Sequence, residues 1–350
     1  MKVLIVGHVK TGTTALYTII KAAMPQAHGV FEPRHLGFEA AHRHLVTKYV
    51  HLRTYKGAAE TYDKRVVIIR DGFDSLISWL FFAPSLKRGF SDDEKVRDYL
   101  QQIEMLRAGQ ADFKDLDTLF QQISGRSGAA QISQQQRLLC TIHDDLGGNC
   151  HLLRYEDLIA GRLESLADYL GLDLQANHKP LPHLGERVAR SRKAENWKRC
   201  FSRQDVRHFD PYYNEFHSRY GYNLSADDLL PRAITKTESS DFVLARINGF
   251  RKAKHLPLVG EGPNGFAGGA AFEKALVAFN READKTRGLE HIQEAIAAQS
   301  NIAGYHLLHS RILASQGRLP EAHAAMDRAL LLCSSERRPA LLAVKAKLAG

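Results

Sequence analysis

Cysteine is scarce in this sequence. Four of the 350 residues are cysteines (Cys140, Cys150, Cys200 and Cys333), and none stands in a C-x-x-C pair. That sparseness predicts neither a zinc site nor a disulfide framework, and it fits a reducing cytoplasm. Long apolar runs are missing as well: none approaches the ~18 residues of a membrane span. The start, with Lys2, four apolar residues and then a glycine loop, does not read as a signal peptide. His28, His35, His42, His44 and His51 crowd one region but never form H-E-x-x-H, so a metal site is not expected.

What remains is an ordinary globular composition, 44% hydrophobic and 25% charged. The length suggests roughly two domains. A net charge of +9 favours anionic ligands. The basic residues are spread along the chain, so nucleic acid is not the expected partner.

Residues 1–225 read as an α/β domain. Apolar, β-rich runs occur at Val3–Val6, Gly29–Phe31, Tyr49–Leu52, Val66–Ile69 and Cys150–Leu153. Helical patterns fall at Thr14–Met24, Asp74–Phe82, Gln131–Leu146 and Leu163–Leu170. Strands without alternation, separated by helices, predict a mostly parallel sheet covered on both faces. Residues 226–270 read as a linker or extension, with a glycine-dense stretch from Val259 to Gly269. Residues 271–350 read as helical and repetitive. Gly288–Ser300 overlays Ala322–Ser334 at an offset of 34, matching Ile292 with Met326, Ala295 with Ala329 and Ile296 with Leu330. Tyr305–Gly317 has the spacing of a first repeat helix. A period of 34 with paired helices resembles a tetratricopeptide repeat. Because each repeat needs neighbours to bury its apolar face, this module is expected to dock on the α/β domain or on a second subunit.

The chemistry concentrates in "GHVKTGTT", Gly7 to Thr14. A phosphate loop reads G-x-x-x-x-G-K-[ST], and Gly7, Gly12 and Thr14 fit it. Thr13 stands where the lysine belongs, and Lys10 comes three residues early. Strand, glycine loop and helix still make an anion cradle of backbone N–H groups. Downstream, Arg70 ends an apolar strand and Ser78 follows eight residues later on a helix. A forked cation and a short hydroxyl at that spacing can converge on one phosphate. The same stretch supports a rival: four apolar residues and then Asp71 resemble a Walker B strand, which would hold Mg²⁺ in an ATP-dependent kinase.

The string K-T-G-T-T after a β-strand resembles the 5′-phosphosulfate loop of the sulfotransferases that use 3′-phosphoadenosine 5′-phosphosulfate (PAPS). Those enzymes share a P-loop kinase-like fold, a three-layer parallel sheet flanked by helices. The resemblance covers Val3 to about Tyr222, with Val9 in place of the usual proline. It implies that Lys10, Thr11, Gly12, Thr13 and Thr14 hold the 5′-phosphosulfate. It further implies that Arg70 and Ser78 read the 3′-phosphate. Tyr155, in "LLRYEDL", would approach the adenine, with Glu156 and Asp157 bracing the next helix. Arg192 and Lys193, in "SRKAENWKRCF", would meet the 3′-phosphate and Trp197 would pack near the nucleotide. The family's glycine there is Ala194 in this chain.

The implied reaction is metal-free transfer of a sulfuryl group to a hydroxyl, leaving 3′,5′-adenosine bisphosphate. Lys10 would donate to the bridging oxygen as charge builds there. Several branches of the family use a glutamate base after the second strand, and Glu32 stands 22 residues after Lys10, followed by Pro33. His35 is the alternative base, and Lys48 is a weaker candidate to face the sulfonate. Residues 81–109, with Trp79 just before them, carry Lys87, Arg88 and Phe90; they are expected to bind a sugar or to form a lid helix. The expected acceptor is a carbohydrate or glycoconjugate, and the repeats are expected to meet a protein partner or a second copy. The alternatives are the kinase already named and a repeat-bearing interaction protein without catalytic activity.

Overall fold

A computed structural model of the chain describes residues 1–33, 36, 39–55, 58–175, 193–235, 238–260, 268–333 and 338–346. Its elements in chain order begin with β1 (Lys2–Val6), α1 (Thr13–Ala23), β2 (His28–Phe31), β3 (Leu45–Tyr49), β4 (Lys64–Ile69) and α2 (Gly72–Phe82). Next come α3 (Asp93–Arg107), α4 (Phe113–Ser124), α5 (Gly128–Leu146), β5 (His151–Arg154), α6 (Tyr155–Ala160) and α7 (Glu164–Leu170). The chain continues with α8 (Trp197–Cys200), α9 (Arg203–Tyr220) and α10 (Ser240–Ala253). Five helices follow: α11 (Gly269–Val277), α12 (Lys285–Ala298), α13 (Ala303–Ser315), α14 (Leu319–Leu332) and α15 (Arg338–Ala346).

Two compact units divide these residues. The first comprises Met1–Leu80, Gly109–Thr118 and Arg126–Thr237; the second comprises Phe81–Ala108, Leu119–Gly125 and Glu238–Gly350. Residues 81–108, which the linear reading groups with the α/β domain, therefore cluster with the C-terminal helices.

The first unit is built on a five-stranded sheet in the order β2-β3-β1-β4-β5, parallel at every pairing. The apolar run of β1 explains its central place, because a strand covered on both faces cannot alternate with polar residues. Val3 and Ile5 pack on one face with Leu16 and Ile20 of α1 and Leu166 and Leu170 of α7. Leu4 and Val6 pack on the other with Leu139 and Ile142 of α5 and Phe216 and Tyr220 of α9. Each fully buried side chain of this kind contributes roughly 1.5–3 kcal/mol of transfer free energy.

Two segments differ from the expectation. The strand placed at Tyr49–Leu52 is instead Leu45–Tyr49, aligned from Lys2↔Leu45 to Val6↔Tyr49. Thr47 and Lys48 hide it from a search for apolar runs, although all five of its residues are buried. After it the chain leaves the sheet in a 3₁₀ turn at Leu52–Thr54, held by the Thr54 hydroxyl donating to the His51 carbonyl at 2.9 Å. The expected linker or extension, 226–270, contains the helix α10. It starts at a Ser239 cap and buries Val243, Ile247 and Arg251.

In the second unit α12 and α14 begin and end 34 residues apart (285 to 319, 298 to 332). The matched pairs Ile292/Met326 and Ala295/Ala329 are all fully buried. No helix among the described residues is long and apolar enough to cross a membrane.

Candidate functional site

The chain leaves β1 first toward β2 and β3, then crosses to β4 and β5 on the other side. Such a reversal opens a crevice at the carboxyl ends of the strands, where α/β proteins bind ligands. Gly7–Thr14, Glu32, Lys48 and Arg70 all stand at that edge, at or just past the ends of β1, β2, β3 and β4.

The loop after β1 is tightly determined. Lys10 sits at φ 74° and Gly12 at φ 84°, both left-handed. Gly12 has a second constraint: a Cβ there would lie 2.6 Å from Cδ2 of Tyr155. The Thr11 hydroxyl donates to the His8 carbonyl at 2.8 Å, closing the loop from inside. Thr13 then opens α1, whose N-terminus has no side-chain cap. Side-chain caps are present on α3, α5, α9 and α10 (Asp92, Ser127, Ser202 and Ser239) and absent from α6 and α7 as from α1. The first N–H groups of a helix need acceptors, and without a cap they are left to attract an anion.

Lys48 is buried to 3% exposure within β3. Its Nζ donates to Glu32 Oε1 at 2.5 Å and to Thr14 Oγ1 at 2.7 Å, and it lies 4.1 Å from the centroid of Phe31. One ammonium thus ties Glu32 to the first turn of α1. Glu32 itself has φ 54°, while its N–H continues the sheet by donating to the Lys48 carbonyl at 2.9 Å.

Across the loop, Arg70 is also buried. Its Nη1 donates to the Lys10 carbonyl at 3.1 Å and its Nη2 to Asp74 Oδ2 at 2.9 Å. The Tyr155 ring covers one face, 4.1 Å from the guanidinium carbon. Nε is buried and has no hydrogen-bond partner. Burial works against the charge, but Asp74, Tyr155 and Asp71 outweigh it and raise the pKa above the ordinary arginine value. Burial pushes Asp71 well above the usual carboxylate range, and the charges of Asp74 and Glu156 push it further. Glu156 is raised by burial too, and its Oε2 accepts from the Tyr222 hydroxyl at 3.0 Å. Asp71 works as a cap for α2, accepting the Asp74 N–H at 2.7 Å. The same helix start is held by His217, whose Nε2 accepts the Gly72 N–H at 2.9 Å.

His8 is fully buried in the loop. Its Nδ1 lies 2.7 Å from the Val9 carbonyl, which can only accept, so Nδ1 carries the proton. Burial, helped by the nearby Arg70, pulls its pKa down to about 4. The ring is therefore neutral near pH 7, and its Nε2 is a buried atom with no partner.

The remaining expected residues divide. Ser78 is buried on α2, one helical turn beyond Asp74 and on the same face. Tyr155 opens α6 with its ring packed between Gly12 and Arg70. Trp197 has a fully buried ring 5.3 Å from Phe73, and its backbone N–H donates to Asp74 Oδ1 at 2.9 Å. Lys193 is exposed, and its carbonyl accepts from Asn196 Nδ2 at 3.0 Å. Arg192 and His35 lie outside the described residues. His28 and His42 stack on each other at 4.2 Å, and His44 Nδ1 meets the terminal amine at 2.9 Å.

Sequence reasoning missed His8, Asp74 and Asn196, and it underrated Lys48. An acid four residues after Arg70 on a helix was the available signal for Asp74. No comparable signal marks His8 or Asn196. No family model matches this chain, and no curated protein sequence matches it.

Proposed function

We propose that the chain is a PAPS-dependent O-sulfotransferase with a P-loop kinase-like domain and Glu32 as general base. The observation that carries this reading is the Lys48 bridge. The expected base and the expected phosphosulfate loop are joined through one ammonium, at 2.5 Å to Glu32 and 2.7 Å to Thr14.

The residues fit the cofactor on two further grounds. α1 offers an uncapped N-terminus for the 5′ group, and the buried Arg70 Nε–H has no acceptor to satisfy it. Lys10, Thr11, Gly12, Thr13 and Thr14 would hold the 5′-phosphosulfate, and Arg70, Ser78 and Lys193 the 3′-phosphate. Bound PAPS supplies the sulfuryl group, whose bond to the 5′-phosphate oxygen is exchanged for one to the acceptor oxygen. Glu32 takes the proton of the acceptor hydroxyl. Lys48, held on Thr14 of the same loop, would add a second cation to that of Lys10 where negative charge gathers. Asp71 favours this metal-free reading over the kinase: it caps α2, and burial holds it toward its protonated form.

The acceptor is a hydroxyl, in our reading on a carbohydrate or glycoconjugate. We read the C-terminal helices as tetratricopeptide-like repeats that bind a protein partner. The offset of 34 supports this, as does a close contact of small residues: the Ser310 hydroxyl donates to the Ala322 carbonyl at 2.7 Å between α13 and α14.

The test is calorimetry with 3′,5′-adenosine bisphosphate against ATP–Mg²⁺, paired with turnover of labelled PAPS on a panel of hydroxyl acceptors. The expected result is preference for the bisphosphate. Glu32→Gln should lower turnover ~10²–10⁴-fold while cofactor affinity stays near wild type. Preference for ATP–Mg²⁺ would reject the reading, and full turnover by Glu32→Gln would reject the base.

A further inference from the structure

Asp74 touches both Arg70, expected at the 3′ end of the nucleotide, and the turn that carries Lys193. It is fully buried on the first turn of α2. Oδ2 accepts from Arg70 Nη2 at 2.9 Å and from Asn196 Nδ2 at 3.4 Å, and Oδ1 accepts from the Trp197 N–H at 2.9 Å. The Asn196 amide also donates to the Lys193 carbonyl at 3.0 Å. Two segments more than a hundred positions apart therefore meet on one side chain: the junction of β4 with α2 and the turn of residues 193–197.

The consequence for Arg70 is geometric. A guanidinium is planar and carries five N–H donors. Asp74 fixes one terminal nitrogen, the Lys10 carbonyl fixes the other, and Tyr155 covers a face. The group cannot rotate without breaking one of these contacts, so its unused donors, the orphaned Nε–H among them, keep a set direction. A fork fixed in advance binds an anion without a further ordering cost. Asp74 also holds the turn that carries Lys193, through the Trp197 N–H on Oδ1 and the Asn196 amide on Oδ2.

We infer that Asp74 is a positioning residue that sets the preference for a 3′-phosphorylated nucleotide, by holding Arg70 and the 193–197 turn in one arrangement. The inference rests on the nucleotide reading above. It adds a residue that makes specificity without itself binding the phosphate.

The experiment is calorimetry on the full chain with two probes, 3′,5′-adenosine bisphosphate and adenosine 5′-monophosphate. The readout is the ratio of the two affinities, which a general loss of folded protein does not move. Asp74→Asn keeps the shape and removes the charge. It is expected to lower the ratio about tenfold or more while leaving monophosphate affinity within about threefold. Asn196→Ala, which buries no unpaired charge, should lower the ratio about threefold, and it carries the test if Asp74→Asn does not fold. An unchanged ratio, or equal loss for both probes, overturns the inference and leaves the nucleotide reading standing. A wild-type chain that binds neither probe, or does not distinguish them, overturns the nucleotide reading and this inference with it.

Discussion

Each unit of the molecule contains a buried arginine–aspartate pair, and the two pairs are finished differently. In the second unit Arg251 meets Asp93 at 2.6 Å, with the two side chains only 2% and 4% exposed. Its terminal nitrogens also donate to the carbonyls of Phe90, Ser91 and Pro257, and the second oxygen of Asp93 accepts the Gly260 N–H. In the first unit Arg70 meets Asp74 at 2.9 Å with similar burial, yet Nε is left without an acceptor and two more carboxylates, Asp71 and Glu156, stand near. A buried charge persists only when it is paired and hydrogen-bonded. The Arg251 pair satisfies that rule within the fold and ties its unit together. The Arg70 pair leaves a donor over, beside an uncapped helix, which is the pattern expected where a ligand completes the site.

The largest effect that separates the two is on stability. Arg251→Met removes a saturated partner and strands Asp93, so a loss of about 3–5 kcal/mol is expected. Arg70→Met should cost less, because Asp71 and Glu156 already lean toward their neutral forms and Asp74 keeps its Trp197 and Asn196 donors. Urea unfolding of both variants measures this. Equal losses would erase the distinction between a structural pair and a site pair.

Acid probes the Arg70 side next. His8 and His217 border this pair, and burial pulls both down to about 4. An unfolded histidine titrates near ~6.5. Above that pH neither state holds the proton and the stability is fully present. As the pH falls from about 6.5 to about 4, the unfolded chain takes up protons that the fold refuses, so stability drops, by on the order of 3 kcal/mol per histidine at the bottom of the window. Asp117, raised to about 6 by burial, works in the opposite direction, so one variant should be read against wild type. His217→Gln keeps an acceptor for the Gly72 N–H and should lose less stability than wild type between pH 6.5 and pH 4, window edges set by the ordinary and the depressed histidine pKa. Parallel melting curves for the two proteins over that range would rule out His217 as the source.

The smallest effect sharpens the geometry around Arg70. Gly12→Ala forces a side chain onto a left-handed backbone and into the Tyr155 ring that covers Arg70. A loss of more than about 1 kcal/mol is expected, with weaker anion binding. Thermal melting checks the first and sulfate titration the second. A neutral substitution would mean that the Tyr155 ring gives way freely.

Much of the site's first layer is legible without coordinates, because it consists of residues local in sequence. Gly7 to Thr14 follow a strand and open a helix, and Arg70 and Ser78 bracket a helix start. The second layer is not legible. Lys48 hides in a strand whose five residues are all buried, and a lysine there reads as a strand boundary until the Thr14 and Glu32 contacts are seen. Asp74 reads as one more charged residue on a helix until Trp197, over a hundred positions away, donates its N–H to it. Trp197, expected near the nucleotide, has its ring buried against Phe73 and its backbone N–H on Asp74.

The sequence pattern by itself marked the strand–helix alternation, the glycine loop and the 34-residue offset of the last helices, because each is written in residue order along the chain and needs no contact across it. The tertiary structure alone decided which charges meet. It joined Lys48 to Glu32 and Thr14, and Arg70 to Asp74 and the turn at Trp197. The reason is physical: a buried ion needs a partner at about 3 Å in space, and distance in sequence places no limit on which residue that will be.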